Sequence, residues 1–249
     1  MLIAALAFLL VALAGAIVAL VRHYRQRIRL SRAIAAQAVC AQWNPPAARA
    51  TVVVLGDSTA VGVGARDPNE SVAGRIAQAF PHSRIANYAV SGAYIRDVHA
   101  QFDRHGEKTA DVVLVQACAN DVLGTHPVVA VEADLRKVVA RAQALGALVI
   151  LMPGCNFSFA PFFRPLFMTA IDWRAQKIHA MIHRVAADTG AIYVDLFHLK
   201  PTDPFFAQAQ QFFCPDGLHP SGEGYRVWFE ELTRRVPLGE RLGKLAGAD

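Results

Sequence analysis

The most one-sided stretch of the chain is its start. Positions 1–21 hold no charged side chain, and Leu, Ala, Val, Ile and Phe dominate. A helix of that length, rising about 1.5 Å per residue, covers roughly 30 Å, the hydrocarbon thickness of a bilayer. A signal peptide would open with a basic segment and a shorter apolar run, and a core helix would keep a polar face. The pattern therefore predicts a transmembrane helix over 1–21. Residues 33–43 extend the helical reading, and Asn44-Pro45-Pro46 ends it, because proline removes a backbone donor and clashes with the turn before it. Residues 22–50 read as a basic juxtamembrane stalk and linker.

From residue 51 the pattern changes to short apolar runs alternating with helical stretches. Strands are predicted at 51–55, 84–88, 111–116, 148–152 and 192–195, and helices at 72–80, 95–105, 128–145, 169–189 and 222–235. Val52-Val53-Val54-Leu55 is apolar throughout, as expected of a parallel strand covered on both faces. The repeated β-α order predicts an α/β fold, a doubly wound parallel sheet, over 51–236 with a C-terminal tail at 237–249. Ligands of such sheets bind beyond the carboxyl ends of the strands.

Charge sharpens the first reading. The 249 residues carry a net +5, yet Arg22, Arg25, Arg27, Arg29 and Arg32 follow the apolar span with no acid among the first 32 positions. The rest of the chain has 20 basic and 20 acidic residues, which argues against a nucleic-acid binder. Arginines after the span place the following domain on the cytoplasmic side of an inner membrane, single-pass, by the positive-inside rule. Each could also bind an anionic headgroup, worth roughly 1 kcal/mol. A composition of 54% hydrophobic and 18% charged residues excludes a disordered or collagen-like chain.

The strand ends carry the chemistry. They run into Gly56-Asp57-Ser58, into Asn87 through Ser91-Gly92, and into Cys118-Ala119-Asn120-Asp121, and Pro215-Asp216-Gly217-Leu218-His219-Pro220 lies near the C-terminus. A serine hydroxyl attacks poorly until a base takes its proton. His219 is the best such base, because Asp216 three residues earlier could hold its Nδ1–H and stabilise the imidazolium. The developing oxyanion needs fixed donors, and the backbone N–H groups of Ser58 and Gly92 and the amide of Asn120 are the candidates.

The order and spacing of these blocks resemble the SGNH, or GDSL, hydrolase family across roughly 51–235. The resemblance implies a flavodoxin-like five-stranded sheet, Ser58 as nucleophile, Asp216 and His219 completing a triad, and Gly92 and Asn120 as oxyanion donors. It implies hydrolysis of small-molecule esters and thioesters without metal or organic cofactor. Two positions depart from the family pattern: Thr59 stands for the usual leucine after the serine, and Cys118 for a glycine two residues before Asn120.

Other groups weigh less. Cys40, Cys118, Cys155 and Cys214 form no Cys-x-x-Cys pattern and read as small buried hydrophobes, although an oxidising compartment could pair Cys155 with Cys214. His179 and His183 share a helix face without the glutamate of a zinc-protease motif, and read as surface or packing histidines. Phe157, Phe159, Phe162, Phe163, Phe167, Phe205, Phe206, Phe212 and Phe213 flank the expected mouth. They either line a greasy entrance, favouring a lipid or acyl-thioester substrate, or pack a satellite core. An acetyl esterase acting on cell-envelope glycan, and a catalytically inactive binding module, are the competing readings.

Overall fold

The computed structural model describes residues 2–104, 106, 108–163, 165–199 and 202–243. His105 of the predicted 95–105 helix and residues 244–249 of the tail lie outside them. Helix α1 (Leu2–Gln37) is continuous through the apolar span and the arginines. Its apolar window has mean hydropathy 2.9 and no buried residue, so by length and composition it could cross a membrane or serve as a signal sequence. The second half of α1 touches the domain. Tyr24, Arg27, Ser31 and Ile34 recur at helical spacing and are half-buried, while Arg22, Arg25, Arg29 and Arg32 are exposed.

The helix stops at Gln37, short of residue 43, because the sheet edge captures the chain. Trp43 N–H donates to the Ile85 carbonyl at 3.1 Å, and Ile85 N–H returns a bond at 2.8 Å. The Gln42 amide meets both backbone groups of Asn87, at 2.6 and 3.1 Å. An open strand edge is thereby partly paired.

Next come β1 (Ala50–Gly56), α2 (Ser58–Val61), α3 (Val72–Ala79), β2 (Ser83–Asn87), α4 (Val98–Asp103), β3 (Val112–Gln116), α5 (Ala119–Leu123) and α6 (Val128–Ala144). The chain ends with β4 (Leu148–Leu151), α7 (Pro165–Thr189), β5 (Ile192–Tyr193), α8 (Pro204–Ala207), α9 (Ala209–Phe212), α10 (Gly222–Arg235) and α11 (Leu238–Leu242). The five strands are parallel in the order β2-β1-β3-β4-β5, the flavodoxin-like arrangement. The chain steps one way from β1 to β2 and the other way from β2 to β5, so right-handed crossovers before and after β2 fall on opposite faces. Accordingly α3 packs on α10 and α6 on α7. Residues Val52 to Leu55 and Val112 to Leu114 are almost wholly buried, which is why both runs lack polar alternation.

Local hydrogen bonds account for the shifted boundaries. The 95–105 stretch divides into a 3-10 turn at Ile95–Asp97 followed by α4, because Asp97 and Asp121 carboxylates accept the N–H groups of Tyr94 and Ile95, each at 2.9 Å. Strand β5 is only two residues long, because Asp195 accepts Phe197 N–H at 3.0 Å and turns the chain. Helix α7 starts at Pro165 rather than 169, and proline suits a first turn.

Candidate active site

The switch point lies between β1 and β3, and the first and third blocks meet there. Gly56 ends β1 with φ +148°, and a Cβ on it would sit 1.9 Å from the Gln116 carbonyl oxygen. Only glycine permits that approach. Asp57 caps α2, which puts Ser58 at the first helical position. The wholly buried Asp57 carboxylate accepts from Thr59 N–H (2.9 Å), Thr59 Oγ1–H (2.8 Å) and Ala119 N–H (3.2 Å). Thr59 thus uses its hydroxyl where the family's leucine has none, and Asp57 ties the serine turn to the Asn120 loop. Burial nevertheless pushes the Asp57 carboxyl pKa up, against the pull of those donors.

Three amide side chains hold this turn, and two of them, Gln101 and Gln116, were absent from the sequence reading. Gln101 makes paired bonds with the backbone of Gly56 at 2.8 and 2.7 Å. Gln116 donates to the Thr59 carbonyl at 3.2 Å, and Asn87 to that of Ala60 at 2.8 Å. All three are buried. A polar residue in an otherwise apolar strand end, such as Gln116, was the signal available.

Ser58, His219 and Asp216 lie in one hydrogen-bonded line. Ser58 Oγ is 2.9 Å from His219 Nε2, and His219 Nδ1 is 2.7 Å from Asp216 Oδ2. A carboxylate only accepts, so Nδ1 carries the proton and Nε2 faces the hydroxyl as an acceptor. The other Asp216 oxygen accepts from Leu218 N–H (2.7 Å), His219 N–H (3.0 Å) and Cys214 Sγ–H (3.1 Å). Burial would raise the Asp216 pKa, but the bond to His219, its charge and these backbone donors hold it well below the usual carboxylate range. Burial and Asp216 push the Cys214 thiol up to about 12, which keeps it a donor. The four cysteines are free, so Cys155 and Cys214 do not pair.

Beside Ser58 and His219 is a cavity of about 50 Å³, also lined by Asn120, Gly154, Phe157 and Trp228. The Asn120 amide donates to the Ala93 carbonyl at 3.0 Å. Gly92 has φ +85° and lines a separate cavity of about 280 Å³ with Ser91, Ala93 and Gln101. Ser58, Asn120, Asp216 and His219 are therefore brought together, and Ala93, the residue after Gly92, accepts the Asn120 amide. Cys118 has φ +84°, the one non-glycine residue in the left-handed region among those described. The family's glycine at this position fits that conformation, and cysteine pays steric strain for it.

The aromatic loops are mainly core. Phe157, Phe159, Phe162, Phe205, Phe212 and Phe213 are buried, and Phe205 packs against Phe212, Phe213 and Trp228. Of the nine, only Phe157 lines the Ser58 cavity. Helix α1 meets the same region. Tyr24 stacks 5.8 Å from both Phe162 and Phe167, and Arg27 Nη1 donates to the carbonyls of Asp216 (3.0 Å) and Pro215 (3.4 Å). His179 is buried against Phe197 with Nδ1 2.9 Å from Tyr193 Oη, and burial lowers its pKa to about 4. It is a packing histidine.

A serine, histidine and carboxylate aligned above the switch point of a five-stranded parallel sheet mark a serine hydrolase of the SGNH class. Residues 54–227 match the GDSL-like Lipase/Acylhydrolase family, and the chain belongs to that family. No curated sequence matches it significantly. Among solved structures it resembles a lipolytic protein of the G-D-S-L family from Veillonella parvula at 16% identity and TM-score 0.60, covering 74% of this chain and 96% of that one. It also resembles the lipase/acylhydrolase from Enterococcus faecalis at 22% identity and TM-score 0.58, with coverages of 80% and 99%. The psychrotrophic esterase EstA from a Pseudoalteromonas species aligns at 19% identity and TM-score 0.52, with coverages of 76% and 97%. At such identities these likenesses speak for the fold.

Proposed function

We propose that this serine hydrolase cleaves a carboxylic ester or thioester by a Ser-His-Asp mechanism while anchored in a membrane by residues 1–21. The observation that carries the mechanism is the Ser58–His219–Asp216 line at 2.9 and 2.7 Å. Ser58 Oγ attacks the carbonyl carbon as His219 Nε2 takes its proton. Asp216, ionised because its bonds favour the charged form, stabilises the imidazolium. Collapse of the tetrahedral intermediate expels the alcohol or thiol, which receives the proton from His219. Water then attacks the acyl-enzyme with His219 again as base, and the acid and free serine are released.

Ser58 N–H and the Asn120 amide are the proposed oxyanion donors bordering the cavity. Asn120 has two amide protons, so the bond to Ala93 leaves one for the substrate. Gly92 N–H is the third candidate, on the loop whose Ala93 carbonyl accepts the Asn120 amide. The exposed arginines Arg22, Arg25, Arg29 and Arg32 would meet anionic headgroups, with the domain on the cytoplasmic side. No metal or organic cofactor takes part in this scheme.

Labelling by a small alkyl fluorophosphonate tests the mechanism. Wild type is expected to label and Ser58→Ala to remain unlabelled. Equal labelling of the two, or of neither, would overturn the mechanism and favour a binding module. Protease treatment of intact spheroplasts tests the topology, and digestion of the domain from outside would reverse its assigned side.

A further inference from the structure

We infer that the cavity beside Ser58 is a small acyl pocket that admits acyl groups of about two to four carbons and excludes long fatty acyl chains. The inference rests on the serine-esterase reading above and adds the substrate's size.

The argument begins with volume. The cavity holds about 50 Å³, and one water-sized occupant needs roughly 10–15 Å³ on that measure. There is room for about three to five non-hydrogen atoms. Ser58 and His219 line it together with Leu123, Gly154, Phe157 and Trp228. A Cβ built on Gly154 would lie 3.5 Å from Trp228 Cη2 and 4.0 Å from Phe157. The two rings therefore converge on the glycine, and its missing side chain is part of the space.

The aromatic walls are braced. Phe157 opens a 3-10 turn capped by Asn156, whose amide donates to Asp172 on α7 at 2.9 Å. Trp228 is 2% exposed, with ring centroids 6.0 Å from Phe205 and 5.6 Å from Tyr225. Tyr225 in turn donates to the Val63 carbonyl at 2.8 Å. A longer chain would have to displace packed rings, and protein interiors resist that. One methylene too many in such a pocket is worth roughly 10- to 200-fold in kcat/KM. A membrane anchor thus does not imply a fatty acyl substrate, because the acyl half of the ester must fit here while the alcohol half stays outside.

The test is a series of p-nitrophenyl acetate, butyrate and octanoate with the full-length protein in detergent micelles. Wild type is expected to prefer acetate and butyrate over octanoate by at least about 100-fold. Gly154→Ala adds one methyl at ordinary contact distance and should lower the butyrate-to-acetate ratio about 10-fold. Phe157→Ala should raise the octanoate-to-acetate ratio at least about 10-fold, with Phe157→Leu giving a smaller rise if the alanine variant folds poorly. Octanoate hydrolysed as fast as acetate by a wild type that labels at Ser58 overturns the pocket and leaves the mechanism standing. Labelling without turnover of any of the three esters also overturns the pocket. Absence of both labelling and turnover overturns the mechanism and the pocket together.

Discussion

Arg27 joins helix α1 to the loop that carries Asp216 and His219, and removing it is the most direct probe of that join. Its guanidinium donates to the carbonyls of Asp216 at 3.0 Å and Pro215 at 3.4 Å. A Cβ on neighbouring Gly217 would lie 3.0 Å from the same nitrogen, and Gly217 itself has φ +72°. Hydrogen bonds from a charged donor contribute about 1.5–3 kcal/mol. One of these is near the distance limit and the group is half-exposed, so about 1–2 kcal/mol of loop ordering is at stake. If the ordered loop is the reactive one, Arg27→Ala should lower kcat roughly 5- to 30-fold, at 1.36 kcal/mol per decade, with KM within about twofold because Arg27 touches no substrate.

The assay is p-nitrophenyl acetate kinetics on full-length protein in micelles, with Arg27→Lys as the conservative variant and Arg29→Ala as control. Arg29 is exposed on another face of α1, so its loss removes the same charge without the carbonyl contacts. Arg27→Lys should recover part of kcat, since an ammonium reaches one carbonyl. An unchanged kcat for Arg27→Ala would refute the reasoning. An equal loss for Arg29→Ala would also refute it, because loss of positive charge on α1 would then be the cause.

Two further outcomes concern stability. Burial lifts the Asp203 carboxyl to about 6, although the amides of Phe205 and Phe206 pull the other way. The folded state binds this proton more tightly than the unfolded chain, so its stabilisation is complete below about pH 4 and is lost as pH rises through 6. Asp203→Asn keeps an acceptor for the two amides without a buried charge; its Tm should exceed wild type at pH 8, and the gap should close at pH 4. A gap of the same size at both pH values would sink the assignment. At Cys118, with φ +84°, glycine relieves about 1–2 kcal/mol of left-handed strain, offset by lost burial and greater unfolded-state entropy. Cys118→Gly is expected to unfold in urea within about 1 kcal/mol of wild type, and Cys118→Val to lose about 2 kcal/mol or more. Equal loss in both variants would contradict the strained-backbone account.

Much of this molecule is legible in its residue order because the relevant forces act locally. The uncharged span at 1–21, the unbroken apolar run at Val52 to Leu55 and the helical periods between strands each reflect burial over a few consecutive residues. Asp216 and His219 are three positions apart, so their partnership is visible as a motif, and the parallel sheet with sites at its strand ends follows from the β-α alternation. Other features depend on which strands become neighbours, and no local pattern carries that. Ser58 meets His219 across 161 positions, and Arg27 reaches the Asp216 carbonyl across 189. Sheet order β2-β1-β3-β4-β5 brings Asp57 to Ala119 and Gln101 to Gly56. The phenylalanines show the division most plainly. Their clustering is a property of the sequence, but burial of six of the nine and the service of Phe157 alone in the Ser58 cavity were decided only by packing, because an aromatic ring has the same affinity for a core as for a substrate.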